Sequence, residues 1–350
     1  MDPTIESKPT PKKNYGRLKI AGVVLTLLGI GLFAYFIYVV GVHEIYEGVT
    51  RFGFVGFAVI LFIYFVRICA RAWAWKLSVH EPYALELKDT IPAVMIGEAM
   101  SSTIPLGILI SGTSKAVAVR KRIPLVAGLS SVATENLFYS LVTSIFLIAG
   151  AIVLLREYAV DDGLIWTLDL LIGSVSVLLF LGILMVIRQW HFASEICERV
   201  FQMGFLQSTL RNGRLHVRLF ENLIYGFYRH YPRSFLPICL LEAAYHVLGI
   251  LEVWYILSRL SDGMPSILTA FLLESVSRLV AILFKLIPFM IGVDEAGAQF
   301  VGHTVALAAG VGVTLAIIRK GRILFWTAIG LALIAKRGVT FKEVSSPDPA

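Results

Sequence analysis

The sequence predicts an all-α protein, a polytopic transmembrane helical bundle of about seven to nine membrane segments. Two of these read as re-entrant or interrupted, in an inverted repeat. Three observations point there. Of 350 residues, 57% are hydrophobic and 16% charged, with a mean hydropathy of +0.78. A soluble domain carries about 45–50% apolar and about 25% charged residues, so an ordinary soluble enzyme is excluded. The apolar residues fall in long blocks between charged clusters, and helix breakers interrupt two of those blocks.

Residues 1–19, with three prolines and five basic residues, read as a disordered cytoplasmic tail without a cleavable signal. Apolar spans follow at Ile20–Gly41 and Phe52–Trp73. Thr90–Gly112 is broken by Pro92, Gly97, Pro105 and Gly107. Arg67, Arg71 and Lys76 before it and Lys115, Arg120, Lys121 and Arg122 after it all favour the inside, so the segment should dip in and return. Ile123–Leu155 is long for one untilted crossing, and Leu164–Ile187 follows. The segment 188–233 carries seven arginines and reads as a cytoplasmic amphipathic loop, with Leu215, Leu219, Leu223 and Phe227 on one helical face. The last block holds Ser234–Ser258, Ser266–Ile291, Gly297–Ile318 and a short Ile323–Ala335. Its topology stays open, because Arg319, Lys320 and Arg322 favour the inside and so do Lys336 and Arg337. The membrane domain covers 20–337, and 338–350 forms a C-terminal tail.

Thr103-Ile104-Pro105 recurs in outline as Leu286-Ile287-Pro288. Each is followed by glycine and then a polar cluster. Each has a charge about thirty residues on in the next apolar stretch, Glu135 and Arg319. Paired interrupted segments of this kind point to a transporter-like binding site.

A charge at the bilayer centre costs roughly 2.5–3.5 kcal/mol on insertion scales, so each one is a functional candidate. Glu274, Arg278 and Lys285 fall at about 0°, 40° and 20° around one helix, a single stripe that must avoid lipid. They read either as a structural Glu274–Arg278 pair with a snorkelling Lys285, or as contacts for an anionic ligand. Glu242 and His246 form an i, i+4 pair, a candidate proton relay or an ordinary interhelical hydrogen-bonding pair, with Glu252 on another face. Arg67 and Arg71 read as snorkelling to lipid phosphate, with a phosphate clamp as the alternative. The run Ser101 to Lys115 mixes hydroxyls, breakers and a lysine and could hold phosphate.

No G-x-S-x-G, H-E-x-x-H, Walker or paired-cysteine pattern occurs. Neither catalysis nor a metal or cofactor is expected, and the basic surplus of +7 reads as loop charge with no nucleic-acid partner.

Two stretches carry a family resemblance. Pro105-Leu106-Gly107 runs through Gly112-Thr113-Ser114-Lys115 to Arg120–Arg122, and Pro288-Phe289-Met290-Ile291-Gly292-Val293-Asp294-Glu295 precedes Arg319. They resemble the lysylphosphatidylglycerol synthase transmembrane region, a flippase-like membrane family, over roughly Arg67 to Lys336. Thr113 replaces an acid, Lys115 an arginine, Glu135-Asn136 stands where an arginine is common, and Phe289 and Met290 replace paired glycines. Gly292, Val293 and Glu295 match best.

The resemblance implies lipid handling in a cell membrane, a bacterial inner membrane with the N-terminus cytoplasmic. Fifteen residues follow Ala335, so synthase activity is not expected. The expectation is translocation of an anionic or modified lipid by Lys115, Glu135, Glu274, Arg278, Lys285, Glu295 and Arg319. The alternatives are a membrane enzyme with Glu242 and His246 as acid–base groups, or an accessory or scaffold subunit in lipid or glycolipid biosynthesis. Protein partners would be a second copy or a biosynthetic enzyme.

Overall fold

The computed structural model describes residues 15–79, 81–103, 107–158, 162–203, 207–261, 263–284, 287–305, 307–308 and 310–337. These form an all-α bundle with no strand among the described residues. Twelve helices run in order: α1 (Tyr15–Val40), α2 (Val42–Leu77), α3 (Leu87–Thr103), α4 (Gly107–Ala118), α5 (Leu125–Glu157), α6 (Asp162–Arg188), α7 (Phe192–Gln202), α8 (Gln207–His230), α9 (Phe235–Leu260), α10 (Ile267–Leu283), α11 (Val293–Thr304) and α12 (Val311–Arg337). Four stretches are long and apolar enough to cross a membrane: α2, α5, Leu168–Arg188 of α6, and α9 with the turn before it.

Both interrupted segments fold as helical hairpins. Lys115 and Ser111 of α4 lie against Gly97 of α3, so close that a Cβ at Gly97 would sit 2.8 Å from the Lys115 Cγ. Ile96 and Met100 of α3 pack on Ile110 and Ala118 of α4. In the second hairpin, Gly297 of α11 faces Val276 and Val280 of α10. With 17 and 12 residues in the arms of each hairpin, no arm approaches the 20 or so residues of a full crossing.

The packing pattern is unchanged when the two halves are exchanged. α2 packs on α9, each hairpin packs on the spans that flank it, and each following span packs on the opposite hairpin, α12 on α3 and α5 on α10. Glycines permit both crossings: Gly330 of α12 meets Ala99 and Met95, and Gly150 of α5 meets Ser275. This exchange of equivalent contacts relates the two interrupted segments that the sequence pairs.

The long Ile123–Leu155 stretch is one helix, α5, from Leu125 to Glu157. Two expectations are corrected. Gly297–Ile318 and Ile323–Ala335 are not two spans, since α11 ends at Thr304 and α12 runs unbroken from Val311 to Arg337. On α8 the buried face is Glu221, Ile224, Tyr225 and Phe227, while Leu219 is 48% exposed. This helix turns its aromatic end into a cluster with Phe138 of α5 and Ile238 and Phe235 of α9, and that packing selects its buried face.

Candidate functional site

Helices of both hairpins and the spans around them line a cavity of about 710 Å³. Its polar wall is charged. Six basic side chains line it, Arg67, Arg71, Lys115, Arg278, Arg319 and Arg322, against two acidic ones, Glu98 and Asp294. The carboxylates that balance the cations stand behind them, fully buried.

Glu274 is the hub of the larger ion network. One of its oxygens, Oε1, accepts from Arg67 Nη2 at 3.0 Å and Arg278 Nη2 at 2.8 Å, and Oε2 accepts from Arg319 Nη2 at 2.7 Å. Glu252 accepts from Arg67 Nη1 at 3.0 Å and, through both oxygens, from Arg322. Four arginines thus share two carboxylates. Gly249 of α9 makes room, since any side chain there would strike the Glu274 carboxylate and the Arg67 guanidinium. Tyr245 lies under Arg67 at 4.3 Å, Arg278 at 5.2 Å and Arg71 at 5.6 Å, and Tyr64 under Arg322 at 4.0 Å. The weakly hydrated guanidinium suits this work at membrane depth, because it can stack and pair at once.

A second network joins the halves of the first repeat. Arg71 donates through Nε (3.2 Å) and Nη2 (2.8 Å) to one oxygen of Glu135, and Lys115 Nζ lies 3.5 Å from the other. Arg71 also stacks on Tyr139 at 4.5 Å. Glu242 of α9 is buried beside Glu135, with Arg71 and Lys115 in electrostatic reach. Among the described residues no donor reaches either of its oxygens.

The rest of the lining is largely apolar, with Leu171, Val175 and Leu178 of α6, Ile282 and Leu283 of α10, and Ile287. Leu178 and Leu283 are 68% and 61% exposed, so this part of the lining is also surface of the bundle. A second cavity of about 510 Å³, between α5, α6 and α8, shares Asn136 and Ser140 with the first.

The Lysylphosphatidylglycerol synthase TM region family matches residues 20–330. The chain belongs to this family. No curated protein and no solved structure matches it. Membership makes this a membrane protein of lipid-related processes, and its cavity is lined by both cations and apolar side chains.

Of the residues expected from the sequence, Lys115, Arg278 and Arg319 line the cavity, and Glu135 and Glu274 stand behind it as their partners. Lys285 lies outside the described residues. Glu295 is placed elsewhere: it caps α11 by accepting from the Gly292 N–H at 2.8 Å and pairs with Lys320 at 2.6 Å, and Asp294 faces the cavity in its stead. His246 does not line the cavity. Its Nε2 lies 3.0 Å from Thr143 Oγ1, and its ring stacks on Phe146 and Tyr139.

Snorkelling at Arg67 is overturned. Arg67 is fully buried near the middle of the straight section after Gly53, where the chain takes φ 68°. Glu252, assigned to another face, is also fully buried, because α9 is enclosed by α2, α5, α10 and α12. The sequence reads Arg322 only as an orienting charge and Asp294 only as part of the second motif, and it gives no signal for Tyr245. The i, i+4 spacing of Arg67 and Arg71 in an apolar span was the available signal, the same one that marked Glu274 and Arg278.

Proposed function

We propose that the protein translocates an anionic or modified lipid between leaflets, holding the headgroup in the cavity while the acyl chains stay in the bilayer. One observation carries this reading: a cavity lined by six cations is also lined by apolar side chains that are themselves largely exposed, Leu178 and Leu283 among them. A soluble anion would need only the first feature. A hydrocarbon guest would need only the second, since burying uncompensated charge beside it is unfavourable. Both together suit an amphiphile with a negative headgroup. Arg71 and Arg278, the more exposed of the cations at 13% and 14%, are the first contacts.

The inverted repeat supports alternating access, because exchanging equivalent contacts would open the cavity to the other face without new interactions. The basic N-terminal tail and the arginine-rich 188–233 segment support a cytoplasmic position for their side of the bundle in a cell membrane, with the first hairpin entering from the cytoplasm and the second from outside.

The test is leaflet translocation of a panel of labelled lipids in proteoliposomes, comparing wild type with Arg71→Ala/Arg278→Ala. Headgroup-selective movement that falls at least tenfold in the double variant, with the protein still folded, is the expected result. Equal movement of anionic and zwitterionic lipids, or full movement in the double variant, would overturn it.

A further inference from the structure

The second cavity, about 510 Å³ between α5, α6 and α8, differs in chemistry from the first. Leu137 of α5, Met185 and Val186 of α6, and Phe220 and Ile224 of α8 make its lining mostly apolar. Among the described residues no cation lines it. The one acid there, Glu221, is engaged by Ser194, whose backbone N–H and hydroxyl donate to it at 3.3 and 2.6 Å. Asn136 and Ser140 belong to both linings, so the two cavities meet at them. From one cavity to the other the lining passes from cations, through an uncharged amide and hydroxyl, to apolar side chains. An ester phospholipid has three zones in the same order: phosphate, ester linkages and alkyl chains. The walls also suit entry of a chain. α6 and α8 each pack on α5 but not closely on one another, and Leu168 is the one buried residue of α6 among those described. A guest between α6 and α8 displaces no packed core.

We infer that the second cavity holds one acyl chain of the lipid whose headgroup occupies the cationic cavity. The inference rests on the lipid reading above and adds to it a protein contact for one of the two chains. Asn136 and Ser140 then lie at the ester linkages, whose carbonyls accept from the amide and the hydroxyl. The chain comes from hydrocarbon and not from water, so the cavity gives it no hydrophobic gain. What the cavity supplies is position. A headgroup held by the cations tethers its own chain beside the second cavity and raises the chain's effective concentration there. A lipid that the cations do not hold has no such advantage, so occupancy of the second cavity depends on the charge of the first.

Photocrosslinking in proteoliposomes tests this dependence. p-Benzoylphenylalanine in place of Met185 reports on the second cavity, and in place of Ser144 on the cationic one. In place of Leu170, which is 75% exposed on α6 and lines neither cavity, it reports on the surrounding bilayer. Dioleoyl phosphatidylglycerol and dioleoyl phosphatidylcholine share their chains and differ in headgroup charge. The probe replacing Met185 should give on the order of tenfold more adduct with phosphatidylglycerol, attached through an acyl chain. Arg71→Ala/Arg278→Ala should abolish that preference, and the probe replacing Leu170 should take both lipids alike. Equal adducts of the two lipids at the Met185 probe, attachment there through the headgroup, or a preference that survives the double variant would overturn the inference. A phosphatidylglycerol preference at the Ser144 probe alone would overturn it while leaving the lipid reading intact. No preference at either probe would overturn the lipid reading as well.

A filled cavity gives a second readout without a probe. Ala133→Trp adds bulk to the second cavity from α5 and should slow translocation of dioleoyl phosphatidylglycerol by about tenfold. Glycerophosphoglycerol carries the same phosphate and no chains, so its binding to the variant should match wild type. Unimpaired translocation in Ala133→Trp would overturn the inference.

Discussion

Arg67 and Glu274 meet at 3.0 Å across 207 residues of sequence, both with fully buried side chains. Arg67 belongs to the first repeat and Glu274 to the second. Their contact therefore fastens the halves at the level of the cavity. Glu274 also holds Arg278 of its own helix and Arg319 of α12, so one carboxylate orders cations from three helices. Removing a partner from a buried ion pair typically costs about 3–5 kcal/mol, because the remaining charge is left uncompensated. Glu274→Ala would leave three arginines short of an acceptor.

Glu274→Ala should accordingly be among the most destabilising single substitutions in the chain, lowering stability by about 3–5 kcal/mol. Arg278→Ala should be milder, because Arg278 reaches the cavity and Glu274 retains two other arginines. Thermal unfolding in detergent would check the order, and equal losses in the two variants would remove Glu274 from its central role.

The family motif places emphasis on Glu295, yet the structure gives it a local task. It caps α11 and pairs with Lys320, whose ammonium also lies 5.6 Å from the ring of Phe33 in α1. The first repeat has a matching link of opposite polarity, with Lys115 on the returning hairpin arm and Glu135 on the next span. In a double-mutant cycle, Glu295→Gln and Lys320→Met should show a coupling energy of about 0.5–3 kcal/mol in stability. Headgroup selectivity should stay that of wild type in the double variant. A selectivity change there would return Glu295 to the binding site.

How much of this was legible follows from what sequence periodicity reports. Helix breakers at Pro105 and Pro288 marked both hairpins, because their backbone consequences are local. The stripe of Glu274 and Arg278 was visible because one helix carries it. Arg67 was misjudged as a snorkelling residue because its partners, Glu252 and Glu274, lie on helices far along the chain. A single helix cannot reveal that others enclose it. The same limit hid Arg322, whose partner Glu252 is 70 residues away.

The tip of the second hairpin retains a backbone suited to residues it does not have. Phe289 and Met290 take φ of 53° and 50°, in the left-handed region, and they stand where the family resemblance places paired glycines. A side chain there costs about 1–2 kcal/mol relative to glycine, offset in part by the entropy glycine loses on folding. Phe289→Gly/Met290→Gly should therefore stabilise the protein by about 0.5–1 kcal/mol, seen as a higher unfolding midpoint. Both side chains also line the cavity, so the same variant should move bulkier headgroups faster than wild type does. A lower midpoint would mean that cavity packing by these two residues outweighs the backbone strain.

The positive-inside rule failed in α12 for a physical reason, and the failure yields a topology test. Arg319, Lys320 and Arg322 mimic a cytoplasmic cluster, but Arg319 and Arg322 are buried in the ion network and Lys320 pairs with Glu295. All three are tied to carboxylates inside the bundle, away from the loops whose charge sets orientation. Only Lys336 and Arg337 remain as orienting charges at the end of that helix. Single cysteines in a background lacking Cys69, Cys197 and Cys239 can report sidedness to an impermeant thiol reagent. Cysteines at exposed Glu86, Lys121, Arg188 and Lys336 should label from one face, and at exposed Glu44, Glu157 and Gly263 from the other. If Glu86 and Lys121 label from opposite faces, the first hairpin crosses the membrane and the inverted repeat is lost. If Lys336 labels with Gly263, α12 does not span.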